Sequence, residues 1–187
     1  MKYEYHPIPT DAESRKTLNE KVLYLIDSGT VAEAGITGED IYNAYSGDGG
    51  LHGLERKNYS DYHSYSKAKK EIENGQFFTP PDLCQLVADA LKPSQFDLIA
   101  DLTCGKGSFF NFFPVESNLY GCEIDPKACK VARFLFPAAN ITIGDIRTYK
   151  PELRFDFVVG NPPFNLHWWA DEGKEVLSQL YYCRKAA

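Results

Sequence analysis

The chain has no apolar run near the roughly 20 residues that a membrane-spanning helix needs. Its first ten residues, MKYEYHPIPT, lack the apolar core of a secretory signal. No CxxC pair occurs. The five cysteines (Cys84, Cys104, Cys122, Cys129 and Cys183) stand apart, which leaves zinc ribbons and dithiol redox motifs without support. An odd count without framework spacing suits a reducing, cytoplasmic compartment. Positive charge is also short. A formal net charge of -6 weighs against a self-sufficient nucleic-acid binder, which carries a basic face. A phosphate cradle is missing too. Neither G-x-x-x-x-G-K-[ST] nor the third glycine of G-x-G-x-x-G is present, which disfavours NAD or ATP as ligand. No cluster suggests a metal. Of the four histidines (His6, His52, His63 and His167), His167 lies near a motif and reads as a pocket wall or surface residue. Trp168 and Trp169 after it read as core or partner surface rather than a base-stacking platform.

What is present is ordinary for a globular domain. There are 187 residues, 43% of them hydrophobic and 25% charged, enough for one domain with a core. Residues 11–45 read as helical, with Leu18, Val22, Leu25 and Ile26 at helical spacing. Thr37 and Asp40 form a capping-box-like start before IYNAY. SGDGG at 46–50 is a break. Residues 54–72 interleave Arg56, Lys57, Lys67, Lys69 and Lys70 with Tyr59, Tyr62 and Tyr65. A solvated helix is the first reading of them, and contact with a nucleic-acid backbone the second. FFTPPDLCQLVADALKP then reads as a turn and a helix. Thr79 serves as cap, Pro80 and Pro81 lie in the first turn, and Asp82 sits at the positive end of the dipole.

Four apolar strands follow, in FDLIADLTCG, NLYGCEID, NITIGD and FDFVVGNPPF. The short SFFNFF and the clear PKACKVARFLF separate the first three as helical pieces. Alternation of strands and helices argues for an α/β fold with a parallel sheet. Ligands of such sheets bind beyond the carboxyl ends of the strands. At the first end, Gly105 and Gly107 permit a tight turn with close ligand approach. Asp101 is a carboxylate in an apolar strand that needs a partner, which a ligand ammonium would supply. At the second, Glu123 falls about 20 residues after the glycine turn, where an acid meets ribose hydroxyls. Asp125 caps the next helix, with Pro126 at its first position. At the third, Asp145 is placed to accept from an adenine amine and Ile146 to pack on the ring. An amine, a ribose and an adenine without a diphosphate describe S-adenosylmethionine.

The ordered motifs GQFFTPP (75–81), DLTCGKGSFF (101–110), GCEIDPKA (121–128), GDI (144–146) and VVGNPPF (158–164) span roughly residues 75–170. On these the chain resembles adenine-specific (N6) DNA methyltransferases, in particular the modification subunits of type I restriction systems. The resemblance implies a Rossmann-like class I methyltransferase domain over 75–187, behind an N-terminal helical segment at 1–74. It implies that Asn161, through its side-chain oxygen, and Pro162, through its carbonyl, accept the hydrogens of the adenine amine. That aims the nitrogen lone pair at the sulfonium methyl. Pro162 and Pro163 pre-place these acceptors, and Phe164 stacks on the flipped base. It gives Phe78 and Thr79 the methionine carboxylate of the cofactor. Thr103, Gly105, Gly107 and Ile124 complete the cofactor set with Asp101, Glu123, Asp145, Ile146 and Asn161.

The sequence departs from the family at two places. Lys106 stands where a small residue is usual, and its side chain is expected to point to solvent. The end, EVLSQLYYCRK, has helical spacing, and four of the usual seven strands are present. The fourth strand would leave an apolar edge. Either the chain is truncated or a partner chain completes the sheet, and target recognition requires a separate region or subunit. Two other readings remain beside DNA adenine methylation. One is methylation of a protein glutamine or an RNA base. The other is a non-catalytic fragment or partner subunit.

Overall fold

In the computed structural model, the described residues are 1–6, 8, 11–47, 56–66, 77–164, 167–169, 173 and 175–186. The two ends of the tyrosine-rich stretch and the boundary expected at residue 74 lie outside them. Inside it, residues 56–58 form a 3₁₀ turn and residues 62–66 a helical one.

Two helices open the fold. α1 (Ala12–Ser28) starts where Asp11 accepts the Ser14 N–H at 2.8 Å, and ends at Gly29 in the left-handed region. α2 (Gly38–Ala44) starts from the expected capping box between Thr37 and Asp40. α3 (Pro81–Leu91) differs from expectation at its start. Pro80 itself is the N-cap and no side chain caps the helix, so Thr79 is not the cap. Pro80 puts an extended residue between Thr79 and the first turn, and Thr79 instead offers its carbonyl to the Cys84 thiol at 3.7 Å.

The sheet is the expected one. β1 (Ile99–Asp101), β2 (Leu119–Glu123), β3 (Asn140–Ile143) and β4 (Phe157–Val159) are parallel, in the order β3-β2-β1-β4. α4 (Pro126–Leu135) joins β2 to β3, and Asp125 caps it through the Lys127 and Ala128 N–H groups. Chain order turns back between β1 and β4, which is where such sheets bind ligands. β4 pairs with β1 alone among the described strands.

Period-two alternation divides the core. Ile99 joins Val22, Ile41, Cys84, Leu135 and their neighbours on one face. Ala100 joins Leu102, Ile146 and Tyr182 on the other. The N-terminal helices thus share one core with the sheet. The first residues are tied in as well. The buried Asn111 side chain accepts the Tyr3 N–H at 2.7 Å and donates to the Tyr3 carbonyl at 2.9 Å. Lys2 Nζ and Tyr3 Oη both cap the Leu135 carbonyl at the end of α4, at 2.6 and 2.7 Å.

The end of the chain corrects the helical reading of 175–185. β5 (His167–Trp169) and β6 (Glu175–Leu177) form an antiparallel pair, and the helix, α5 (Ser178–Ala186), begins only after it. Val176 and Leu177 fit a strand as readily as a helix, and a pairing partner at 167–169 decides for the strand.

Candidate active site

The carboxyl ends of β1, β2 and β4 converge on the loops singled out by sequence. Asp101 closes β1 and is 2% exposed. Its Oδ1 accepts the Thr103 N–H at 3.0 Å. Burial pushes its carboxyl up to about 7, and the Glu123 carboxylate adds to the shift. The Thr103 hydroxyl favours the ionised form of Asp101, yet it is buried without a hydrogen bond of ordinary geometry. A polar ligand at this point would satisfy both the buried carboxyl and the hydroxyl.

The glycine turn follows. Gly105 and Gly107 have φ of 56° and 86°, so both occupy the left-handed region. A Cβ on Gly105 would lie 2.7 Å from the Phe78 ring, so glycine lets the FFTPP segment close on the turn. Glu123 braces it from β2. Its Oε2 accepts the Gly105 N–H at 2.7 Å and its Oε1 the Asp125 N–H at 2.8 Å. Burial raises the Glu123 pKa, and those two N–H groups oppose the rise. Ile124 beside it is exposed.

Lys106 corrects its expectation. It is 7% exposed, not solvent-facing. Its Nζ donates to the Tyr42 carbonyl and to the Tyr45 carbonyl at 2.8 Å, and it lies 4.7 Å from the Tyr42 ring centroid and 5.2 Å from that of Phe78. The C-terminal end of α2 supplies those carbonyls, and a lysine satisfies orphan carbonyls there. Burial lowers the ammonium pKa to about 7, against which the carbonyls and rings favour the charged form.

After β3, Asp145 is held in a two-point ion pair by Arg147, which keeps its carboxyl below the usual range. Arg147 in turn lies 5.7 Å from the Trp168 ring. Trp168 is half-buried and packs edge-on against Tyr181 at 5.6 Å, so it belongs to the core. Ile146 is buried with Ala100, Leu102 and Tyr182.

After β4 comes the Asn-Pro-Pro-Phe loop. Asn161, Pro162 and Pro163 are half-buried, and Phe164 is 60% exposed. Asn161 Nδ2 donates to the Phe77 carbonyl at 3.2 Å, which ties this loop to FFTPP and leaves Oδ1 as an acceptor. Gly160 sits against Asp101. A Cβ there would lie 2.8 Å from Asp101 Oδ1 and would strike the Tyr182 hydroxyl. The structure therefore brings Phe78, Thr103, Gly105 and Glu123 together at one end, with Asp101 and Asn161 close by. Asp145 is held by Arg147, and Ile146 faces the second core.

Sequence reasoning misread Lys106 and missed Arg147, Ser178 and Tyr182. No local pattern marks Lys106, Ser178 and Tyr182, because each acts through a group brought in by the fold; Arg147 pairs with Asp145 two residues before it, and that spacing is the signal that could have found it. Among the described residues there is no metal-binding cluster of His, Cys, Asp or Glu, and no helix long and apolar enough to cross a membrane.

Comparison with known proteins supplies the remaining findings. The sequence profile described as N-6 DNA Methylase matches residues 62–184. The chain is 31% identical over 107 residues (56% of this chain, 28% of the relative) to Type II methyltransferase M.CvrRI of Paramecium bursaria Chlorella virus XZ-6E. It is 32% identical over 116 residues (51% of this chain, 20% of the relative) to the Type I restriction enzyme MjaIX methylase subunit of Methanocaldococcus jannaschii. The chain thus spans about a quarter of the length of such relatives or less. A crystal structure from Listeria monocytogenes, assigned to the class I S-adenosylmethionine-dependent methyltransferases, aligns with a TM-score of 0.51 at 13% identity. That alignment covers 91% of this chain and 69% of the other, and it shows the fold to be of that class.

Proposed function

Because the chain belongs to the N-6 DNA methylase family, whose enzymes are S-adenosylmethionine-dependent methyltransferases, we propose that it methylates the exocyclic amine of adenine in DNA. The observation that carries this reading is the meeting of two loops. The Asn161 amide bonds to FFTPP while Gly160 packs on Asp101, so an acceptor loop and a cofactor loop share one end of the sheet.

S-adenosylmethionine fits the residues present. Asp101 suits its ammonium, the orphaned Thr103 hydroxyl a further polar group, and the Phe78–Thr79 segment its carboxylate. Glu123 is assigned to its ribose and Ile124 and Asp145 to the adenine end, while Ile146, expected there too, is buried in the second core and takes no part. When bound, the cofactor supplies an electrophilic methyl group on sulfur. The chain's own residues act on the acceptor. Asn161 Oδ1 and the Pro162 carbonyl accept the two amine hydrogens and turn the nitrogen lone pair out of conjugation. Pro162 and Pro163 restrict the loop's φ angles, so these acceptors do not move far. Phe164 offers an open ring face for stacking, worth about 1–3 kcal/mol. No strong base is needed before attack.

DNA target choice is assigned to a region or subunit beyond these residues, in keeping with a net charge of -6. The test has two parts. Calorimetric titration with S-adenosylmethionine, beside Glu123→Ala, should give saturable binding that the variant weakens. Mass analysis of products after incubation with adenine-containing DNA should find N6-methyladenine. Methylglutamine or methylated RNA instead would move the reading to another acceptor. Binding without any product would leave a cofactor-binding partner subunit.

A further inference from the structure

Helix α5 reaches the acceptor loop at two backbone carbonyls. Ser178 Oγ donates to the Pro163 carbonyl, and Tyr182 Oη donates to the Val159 carbonyl. Between those two points lie Gly160, Asn161 and Pro162. The Tyr182 hydroxyl also accepts the Leu102 N–H at 3.4 Å, so one oxygen joins the ends of β1 and β4. Both side chains are buried, Ser178 to 0% exposure. Burying a hydroxyl is costly unless it finds a partner, and here each donates to a carbonyl flanking the loop, with the Gln179 side-chain oxygen at 3.2 Å as a second acceptor for Ser178. A loop with two prolines has lost two N–H donors, so its own amides brace it poorly. Bracing has to reach its carbonyls from outside. Gly160 makes room for this, since any Cβ would strike the Tyr182 hydroxyl. Burial and the adjacent Asp101 carboxylate push the Tyr182 phenol far above its ordinary pKa, so it remains a donor.

We infer that Ser178 and Tyr182 are positioning residues that fix the direction of the Asn161 side chain and the Pro162 carbonyl. Tyr182 further ties that setting to the Asp101 end of the cofactor half. The inference rests on the roles given to Asn161 and Pro162 above. Neither side chain is assigned contact with the acceptor, and each acts through backbone. The Asn161 amide bond to the Phe77 carbonyl reports whether the loop is in register.

The test uses the full chain with Ser178→Ala and, separately, Tyr182→Phe. Ser178→Ala is the cleaner variant, because Ser178 bonds to neither Asp101 nor Leu102. Four quantities are read: thermal melting, the Asn161 side-chain amide resonances by NMR, the S-adenosylmethionine Kd, and kcat against KM for an adenine-containing oligonucleotide. For Ser178→Ala the expected result is a folded protein with Kd and KM within twofold of wild type. Its Asn161 amide loses its hydrogen-bonded shift, and kcat falls by about tenfold to a hundredfold. Tyr182→Phe should move the same amide and also weaken cofactor binding. Unchanged Asn161 resonances in both variants would overturn the inference, as would a fall in kcat without a change at Asn161. If wild type transfers no methyl group to adenine while the variants still displace the Asn161 amide, the acceptor reading fails and the clamp stands.

Discussion

The glycine turn and the Asn-Pro-Pro-Phe loop are held in opposite ways. The glycine turn at 103–107 is braced from within by charged side chains. Glu123 holds its Gly105 N–H, and Lys106 anchors it to the end of α2. The loop at 160–164 is braced from behind, by neutral hydroxyls and prolines, and leaves Phe164 open. The difference matches what the proposed function asks of each. A loop that encloses a small polar cofactor can be buried around its own charges. A loop that receives a base extruded from a large duplex needs a free front, so its support comes from the side away from solvent.

The comparison breaks first at Asn161. Asn161→Ala should lower the transfer rate by about 10²–10³-fold, the usual loss for one pre-placed polar group. Cofactor affinity, measured by calorimetry, should stay within twofold. Gly160→Ala strikes both turns at once, since the added Cβ meets Tyr182 and Asp101. It should cost up to about 3 kcal/mol of stability by overpacking, read from denaturant unfolding. Lys106→Met should leave two α2 carbonyls without their donor and cost about 2 kcal/mol, with a lowered Tm. A solvent-facing lysine would show almost no change. Last comes pH. Asp101 has a folded pKa of about 7 against an ordinary 3.8. Its contribution is fully favourable below pH 4, where it is protonated folded or unfolded, and is lost as pH rises through 7. An ammonium ligand needs the ionised form, so cofactor affinity should drop about tenfold from pH 8 to pH 6, and Asp101→Asn should flatten that slope.

These contrasts also mark what the sequence revealed. The Thr37–Asp40 box, the Asp125–Pro126 cap and the four strands are local patterns, and each is where it was expected. The candidate loops were found because parallel strands put all their carboxyl ends at one edge, whatever the side chains do. Lys106 was misjudged because its partners lie 61 and 64 residues earlier, on a helix whose docking no spacing rule gives. The strand at Glu175–Leu177 was missed because two apolar residues suit either period, and its partner strand is what selects one. The clamp by Ser178 and Tyr182 was invisible for the same reason. A serine and a tyrosine on a helix carry no sign of the carbonyls they meet.

The N-terminal strap bears on the order of synthesis. Lys2 and Tyr3 have their partners at Asn111 and Leu135. At about 5–20 residues per second, the ribosome needs on the order of ten seconds to supply them. Until then α1 and α2 have emerged without the sheet they pack on, and the apolar faces around Val22 and Ile41 have nothing to cover them. Lys2 and Tyr3 thus wait more than a hundred residues for their partners, and a nascent chain halted before residue 135 should be the form that chaperones hold.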